Sequence, residues 1–193
     1  YLQSIGDKIS IERLEVNYLN KSGDNHYLFK AGIFELMFAG YGMEYLKINR
    51  FKNIGYGFEA YEVQKREYSG DFDLMDYKTI TGHLNLYHYF DPLNMTTHIS
   101  WGKYLAGDKG YTVDVSRRFA NGLKFGFYFS LTDVTFEQFG EGSFDKGIYF
   151  QLPIKSLYGK PYTGFTWSPL TKDPAQKLLV SNRLFGLLDR YIY

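Results

Sequence analysis

The sequence predicts an all-β protein, an antiparallel transmembrane β-barrel of about 10–12 strands with twelve preferred. Three observations carry this expectation: period-two alternation of large apolar residues, strand-length segments suited to a bilayer, and a composition rich in aromatics and glycine. The clearest alternation follows the hairpin dipeptide Asn121-Gly122. Leu123, Phe125, Phe127, Phe129 and Leu131 share one face there, while Lys124, Gly126, Tyr128, Ser130 and Thr132 share the other. An apolar row opposite a polar, small-residue row suits lipid on one side and water on the other.

The pattern recurs along the chain. Ile80, Gly82, Leu84, Leu86 and Phe90 alternate with Thr79, Thr81, His83, Asn85, Tyr87 and Tyr89. Ile54, Tyr56, Phe58 and Ala60 alternate with Gly55, Gly57, Glu59 and Tyr61, and Ile148, Phe150, Leu152 and Ile154 with Tyr149 and Gln151. A soluble sandwich alternates in the same way, so period alone leaves the direction of the apolar face open. The expected strands are 8–18, 26–38, 41–49, 54–67, 77–90, 95–105, 110–120, 123–135, 147–154, 162–168 and 177–193. Many are about 9–14 residues long, enough to cross a bilayer when tilted, whereas soluble strands run nearer 5–6.

Connection lengths agree. The short links at 50–53, 91–94 and 120–122 alternate with longer ones at 69–76, 136–146 and 169–176, as periplasmic turns alternate with outer loops. The short 106–110 link falls on the long side and breaks the contrast. Eleven segments leave an odd count, so closure calls for one more strand before residue 8, with Tyr1–Ile5 as its tail. The ending Asp189-Arg190-Tyr191-Ile192-Tyr193 reads as a final strand of the kind the barrel-assembly machinery recognises, or as an ordinary amphipathic end, even a short helix around Leu184–Arg190.

Composition narrows the class. The chain has 193 residues, 19 Tyr, 17 Phe and 20 Gly, which favour strands with tight turns. It reads as a single domain over 1–193, the mature, C-terminal part of a longer protein. Twenty-two basic residues against 21 acidic ones leave no electrostatic footprint for nucleic acid. Cysteine is absent, which removes disulfides, thiolate nucleophiles and thiolate metal ligands from consideration. No run reaches the roughly 18 apolar residues of a membrane helix. The mean hydropathy of −0.33 is compatible with a barrel wall, where only alternate residues meet lipid.

Chemistry is sparse. His26, His83, His88 and His98 have no metal-ligand spacing, and no metal or cofactor is expected. His98 and Ser100 share a face but form no recognisable catalytic arrangement, so the chain is read as non-enzymatic. The 136–146 loop is the candidate glycan contact: Glu137, Glu141, Asp145 and Lys146 offer polar groups, Phe139 and Phe144 flat apolar faces. The alternative is a loop folded over the barrel mouth by its own glycines and ion pairs. Glu59, His83, His98, Tyr104, Asp114, Arg118, Tyr128 and Tyr149 are candidate lumen residues, lining a path or plugging a narrow barrel. Arg117 is expected to face outward, where long side chains snorkel to headgroups.

Several separated motifs occur in one order: Gly102-Lys103-Tyr104-Leu105-Ala106-Gly107-Asp108, Asp114-Val115-Ser116-Arg117-Arg118-Phe119 with Asn121-Gly122, and Thr132-Asp133-Val134. They continue with Phe139-Gly140-Glu141-Gly142-Ser143-Phe144-Asp145-Lys146-Gly147 and Pro169-Leu170-Thr171-Lys172-Asp173. In these stretches, spanning about residues 100–175, the chain resembles the YjbH/GfcD (WbfB) family of outer-membrane exopolysaccharide and capsule lipoproteins. Lys103 and Lys172 stand where the family pattern has Arg, and the tail after Leu178 matches less well. The resemblance implies a bacterial outer-membrane location, outer-membrane lipid as surroundings, and polysaccharide and other export proteins as partners. It implies a role in export or assembly of polysaccharide; a diffusion porin and a soluble sugar-binding β-barrel are the alternatives. The resemblance brings no catalytic residue with it.

Overall fold

The computed structural model describes residues 11–67, 72–135, 144–155, 161–167 and 175–192. Ten strands form one sheet in sequence order, each antiparallel to the next: β1 Leu14–Ser22, β2 Asn25–Ile33, β3 Phe38–Asn49, β4 Ile54–Arg66, β5 Leu74–Phe90, β6 Met95–Lys103, β7 Lys109–Arg118, β8 Lys124–Thr132, β9 Asp145–Lys155 and β10 Pro161–Trp167. A C-terminal helix, α1, spans Leu184–Ile192. No described helix is long and apolar enough to cross a membrane, which says nothing about strands.

Each hairpin is set by local turn chemistry. Gly23, at φ 60°, opens the two-residue turn between β1 and β2, and Asn25 Nδ2 donates back to Ser22 O. The β3–β4 and β5–β6 links are one-turn 3-10 helices, Arg50–Lys52 and Asp91–Leu93, each followed by an asparagine in the left-handed region, Asn53 and Asn94. Asn121-Gly122 turns β7 into β8 as expected, with Gly122 at φ 85°. These turns lie at one end of the sheet. The 67–73 and 133–144 links lie at the other end with 34–37 and 104–108, so the expected alternation of short and long connections holds in part, with the short 34–37 and 104–108 links its exceptions.

The two faces differ in kind. One carries the apolar rows: Ile80, Leu84 and Leu86 on β5, Ile99 and Trp101 on β6, Phe125 and Phe127 on β8, and Ile148 and Leu152 on β9. These side chains are exposed, Ile80 by 60%, Trp101 by 59% and Phe127 by 45%. The opposite face carries Glu59, Thr79, Thr81, His83, Ser100, Thr112, Ser116, Ser130 and Asp145, all buried. A water-soluble sheet buries its apolar row and wets its polar one. Here the arrangement is reversed.

The sheet is strongly curled. Glu59 on β4 and Asp145 on β9 border the same cavity of about 280 Å³. In a flat sheet five strand spacings would separate them by about 24 Å. Glycines let the inner face carry flat tyrosine rings. A Cβ at Gly126 would lie 2.4 Å from Tyr149 Cζ, and one at Gly42 would lie 2.2 Å from Tyr61 Cδ1, each ring lying over its cross-strand glycine.

One expectation is corrected. The strand expected at 177–193 is absent: 176–183 carries neither helix nor strand, and Leu184–Ile192 is helical. Leu184, Leu187, Leu188 and Tyr191 fall at i, i+3, i+4 and i+7, a helical stripe that outweighs the β-prone aromatic ending. Twelve strands were preferred, and the described residues contain ten. Among the described residues β1 and β10 are the two edges of the sheet and do not pair with each other, so closure is not shown there. The strand expected before residue 8 lies outside the described residues.

Candidate functional site

The segment after residue 175 runs along the inner face from the long-link end to the short-turn end. It starts at Ala175, whose N–H donates to Asp108 Oδ2 at 2.9 Å, while Leu105 N–H donates to Gln176 O at 3.1 Å. Lys177 Nζ then donates to Ser100 Oγ on β6. Leu178 enters an apolar cluster with Phe34, Phe38, Tyr61, Val63 and Leu105. Ser181 donates through both N–H and Oγ to Glu15 on β1, at 3.0 and 2.6 Å. Leu184 seals the other end against Leu28, Leu46 and Ile48, and Phe185 stacks on Tyr87 at 3.8 Å between centroids. One stretch of chain thus contacts strands from β1 to β6.

At its centre lies a buried charge cluster. The Arg183 guanidinium donates to Glu59 on β4 through Nη1 and to Leu178 O through Nη2. Nη1 also lies 3.9 Å from Glu44 Oε1 on β3. Glu59 also faces His83 Nδ1 at 3.0 Å, and Glu44 accepts from Tyr61 OH and from the Leu184 N–H. A carboxylate in such surroundings needs both a counter-charge and donors. Glu44 and Glu59 each have both, and the N–H that starts α1 has an anion at the favourable end of the helix. Lys30 and Glu15 form a second buried pair at 3.4 Å.

Beside the tail, on its β4–β9 side, remains the 280 Å³ cavity. Asp114, Tyr128 and Asp145 project into it from three adjacent strands, with Lys177 opposite them. Around it the wall is hydrogen-bonded: Tyr149 OH to Asp114 Oδ1 at 2.9 Å, Tyr104 OH with Thr112 at 2.6 Å, Thr112 with Ser130 at 2.8 Å, and His98 with Asn85 at 2.8 Å.

Of the expected lumen residues, Glu59, His98, Asp114 and Tyr128 line this cavity. His83, Tyr104 and Tyr149 support it through Glu59, Thr112 and Asp114. Tyr104 is wholly buried but sits on the link after β6, not in the wall. Arg118 ends β7 on the inner-face parity, opposite Lys124, away from the cavity. Arg117 is exposed as expected, with its guanidinium 4.9 Å from the Phe119 ring.

The glycan-loop set is divided. Glu137, Phe139 and Glu141 lie outside the described residues. Asp145 and Lys146 belong to β9, not to a loop, and point to opposite faces: Asp145 is buried at the cavity, and Lys146 sits on the outer face with Nζ 4.8 Å from the Phe144 ring. Phe144 packs edge-on against Phe129. Sequence reasoning missed Glu44, Lys177, Ser181 and Arg183. Assigning 177–193 to a strand hid the last three, and the helical stripe from Leu184 onward was the signal that exposes them.

Comparison with known proteins supplies the family. A family described as exopolysaccharide biosynthesis protein YbjH matches residues 1–190. The chain is 34% identical to the uncharacterized lipoprotein YjbH of Escherichia coli (strain K12) over 195 residues, covering 96% of this chain and 27% of that protein. It therefore spans about a quarter of the relative's length. No solved structure matches. A match across nearly the whole chain, joined to motifs in the same order from 102 to 173, makes the chain a member of the YjbH exopolysaccharide biosynthesis family.

Proposed function

We propose that this region forms a plugged, non-enzymatic β-barrel wall in the bacterial outer membrane, within a longer lipoprotein that supports export or assembly of exopolysaccharide. The observation that carries the reading is the reversal of faces. Nine large apolar side chains on β5, β6, β8 and β9 point to the exposed side, while buried carboxylates, hydroxyls and a histidine point to the side the tail fills. Hydrocarbon satisfies the first face and an internal polar network the second. In this reading the β1 and β10 edges are joined within the membrane, since hydrocarbon offers no partner for free backbone groups. Lipid is then the immediate surrounding, and polysaccharide and other export proteins are the partners.

The tail argues against a diffusion porin, because it occupies the inner face from end to end. The exposed apolar rows argue against a soluble sugar-binding barrel, which would turn them inward. The test is made in the producing bacterium by removing residues 11–192 from the full-length lipoprotein. Secreted polymer is expected to fall. Unchanged secretion, with the protein's partners still assembled, overturns the role.

A further inference from the structure

We propose that the cavity between β4–β9 and the tail binds one uncharged sugar ring, an inference that rests on the polysaccharide reading above and deepens it. Size sets the first limit. About 280 Å³ lies at the small end of ligand sites and suits a single ring, not a passing chain. Chemistry sets the second. The Tyr128 hydroxyl borders the cavity, is shut off from solvent, and has no hydrogen-bond partner among the described residues. A buried hydroxyl left unpaired is costly, so the described residues leave this site one hydrogen bond short.

Donors and acceptors converge from opposite sides. Tyr128 sits between Asp114, its cross-strand neighbour on β7, and Asp145 on β9. Tyr149 engages Asp114 through Oδ1. Across the cavity, Lys177 Nζ is steadied by Ser100. A polyol, whose hydroxyls both donate and accept, matches this mixed lining, and Leu179 offers apolar surface to its C–H groups. Charge excludes the acidic sugars. Arg183 and Glu59 neutralise each other, which leaves two carboxylates, Asp114 and Asp145, and one cation, Lys177, among the described residues of the lining, with Lys124 also acting on Asp114. A bound carboxylate would add a like charge to that excess.

Because Ala175, Lys177 and Leu179 belong to the tail, the site exists only while the tail is seated. Occupancy therefore favours the plugged state.

The test uses the full-length lipoprotein in detergent, titrated with D-glucose, D-galactose and D-mannose and, as the acidic comparison, D-glucuronate. Saturable binding of at least one neutral hexose is expected, with glucuronate weaker by about fivefold or more. Tyr128→Phe and Asp145→Asn should each weaken the neutral sugar about fivefold, the effect of one lost hydrogen bond. Tyr128→Phe should not lower Tm, since it removes a hydroxyl with no partner. Absence of saturable hexose binding, tighter binding of glucuronate, or unchanged affinity in Tyr128→Phe overturns the site. If secretion still depends on residues 11–192 while no hexose binds, the site alone fails and the proposed role stands.

Discussion

Arg183 and Glu59 are 124 residues apart in sequence and form the ion pair that fixes the tail to the wall. Glu59 comes from the middle of β4, where its cross-strand neighbours are Glu44 and His83. Three strands thus present two carboxylates and an imidazole to one guanidinium. Removing that guanidinium leaves both carboxylates buried without their cation. Arg183→Ala is expected to cost about 3–5 kcal/mol, the range for breaking a buried pair from one side. Arg183→Met combined with Glu59→Gln and Glu44→Gln should cost less than Arg183→Ala alone. Equilibrium unfolding of the three proteins in detergent checks the order.

The same pair makes a prediction about conductance. With the tail seated, the full-length protein should pass almost no current in planar bilayers. Lys177→Ala with Arg183→Ala, which removes two tail cations from the inner face, should raise the frequency of open events. Large steady conductance in the unaltered protein would instead favour a porin.

Much of this architecture was legible in the sequence, for a definite reason. Where one strand face is uniformly apolar, as at Phe125, Phe127 and Phe129, period two has only one register. The turns were equally explicit, because Asn53, Asn94 and Gly122 adopt left-handed backbone that few other residues accept. The tail was legible only in part: a short helix around Leu184–Arg190 was one reading of it and is present, but the stretch before the helix was read as a strand. Its Lys177-Leu178-Leu179-Val180 start fits a strand locally, and only tertiary contacts decide otherwise: Leu178 and Leu184 drop into separate apolar clusters, and Arg183 finds two carboxylates. The ion cluster depends on pairings across more than a hundred residues, which spacing in one sequence does not reveal. Asp145 was placed in a loop, because Asp-Lys-Gly reads as a turn until the pairing Ser130↔Asp145 extends β9.

Gly126 provides a prediction about packing. Any Cβ there meets the Tyr149 ring at 2.4 Å, so Gly126→Ala must displace the ring and its hydrogen bond to Asp114. A loss of about 1–3 kcal/mol is expected, as for overpacking elsewhere. Tyr149→Ala should remove the conflict, so Gly126→Ala adds little in that background. Additive losses in a double-mutant cycle would show that the ring does not need the glycine.

A charge placed on the outer face separates membrane from water. Phe127→Arg on an exposed face in water should change stability by no more than about 0.5 kcal/mol. In a bilayer the same change near mid-depth should cost about 2–4 kcal/mol. Folding in lipid vesicles, compared between Phe127→Arg and the lumen-side change Ser130→Ala, should show the larger loss for the arginine.

The central claim is that the exposed apolar face meets lipid, and Trp101 reports on it directly. The chain has two tryptophans, and replacing Trp167 by Phe leaves Trp101, on the outer face of β6, as the reporter within this region. Tryptophans elsewhere in the full-length protein are replaced in the same way, and the protein is reconstituted into vesicles of brominated phosphatidylcholine. Strong quenching of Trp101 relative to unbrominated vesicles is the predicted result. Emission unchanged by bromine, yet quenched by iodide in the aqueous phase, would contradict the account.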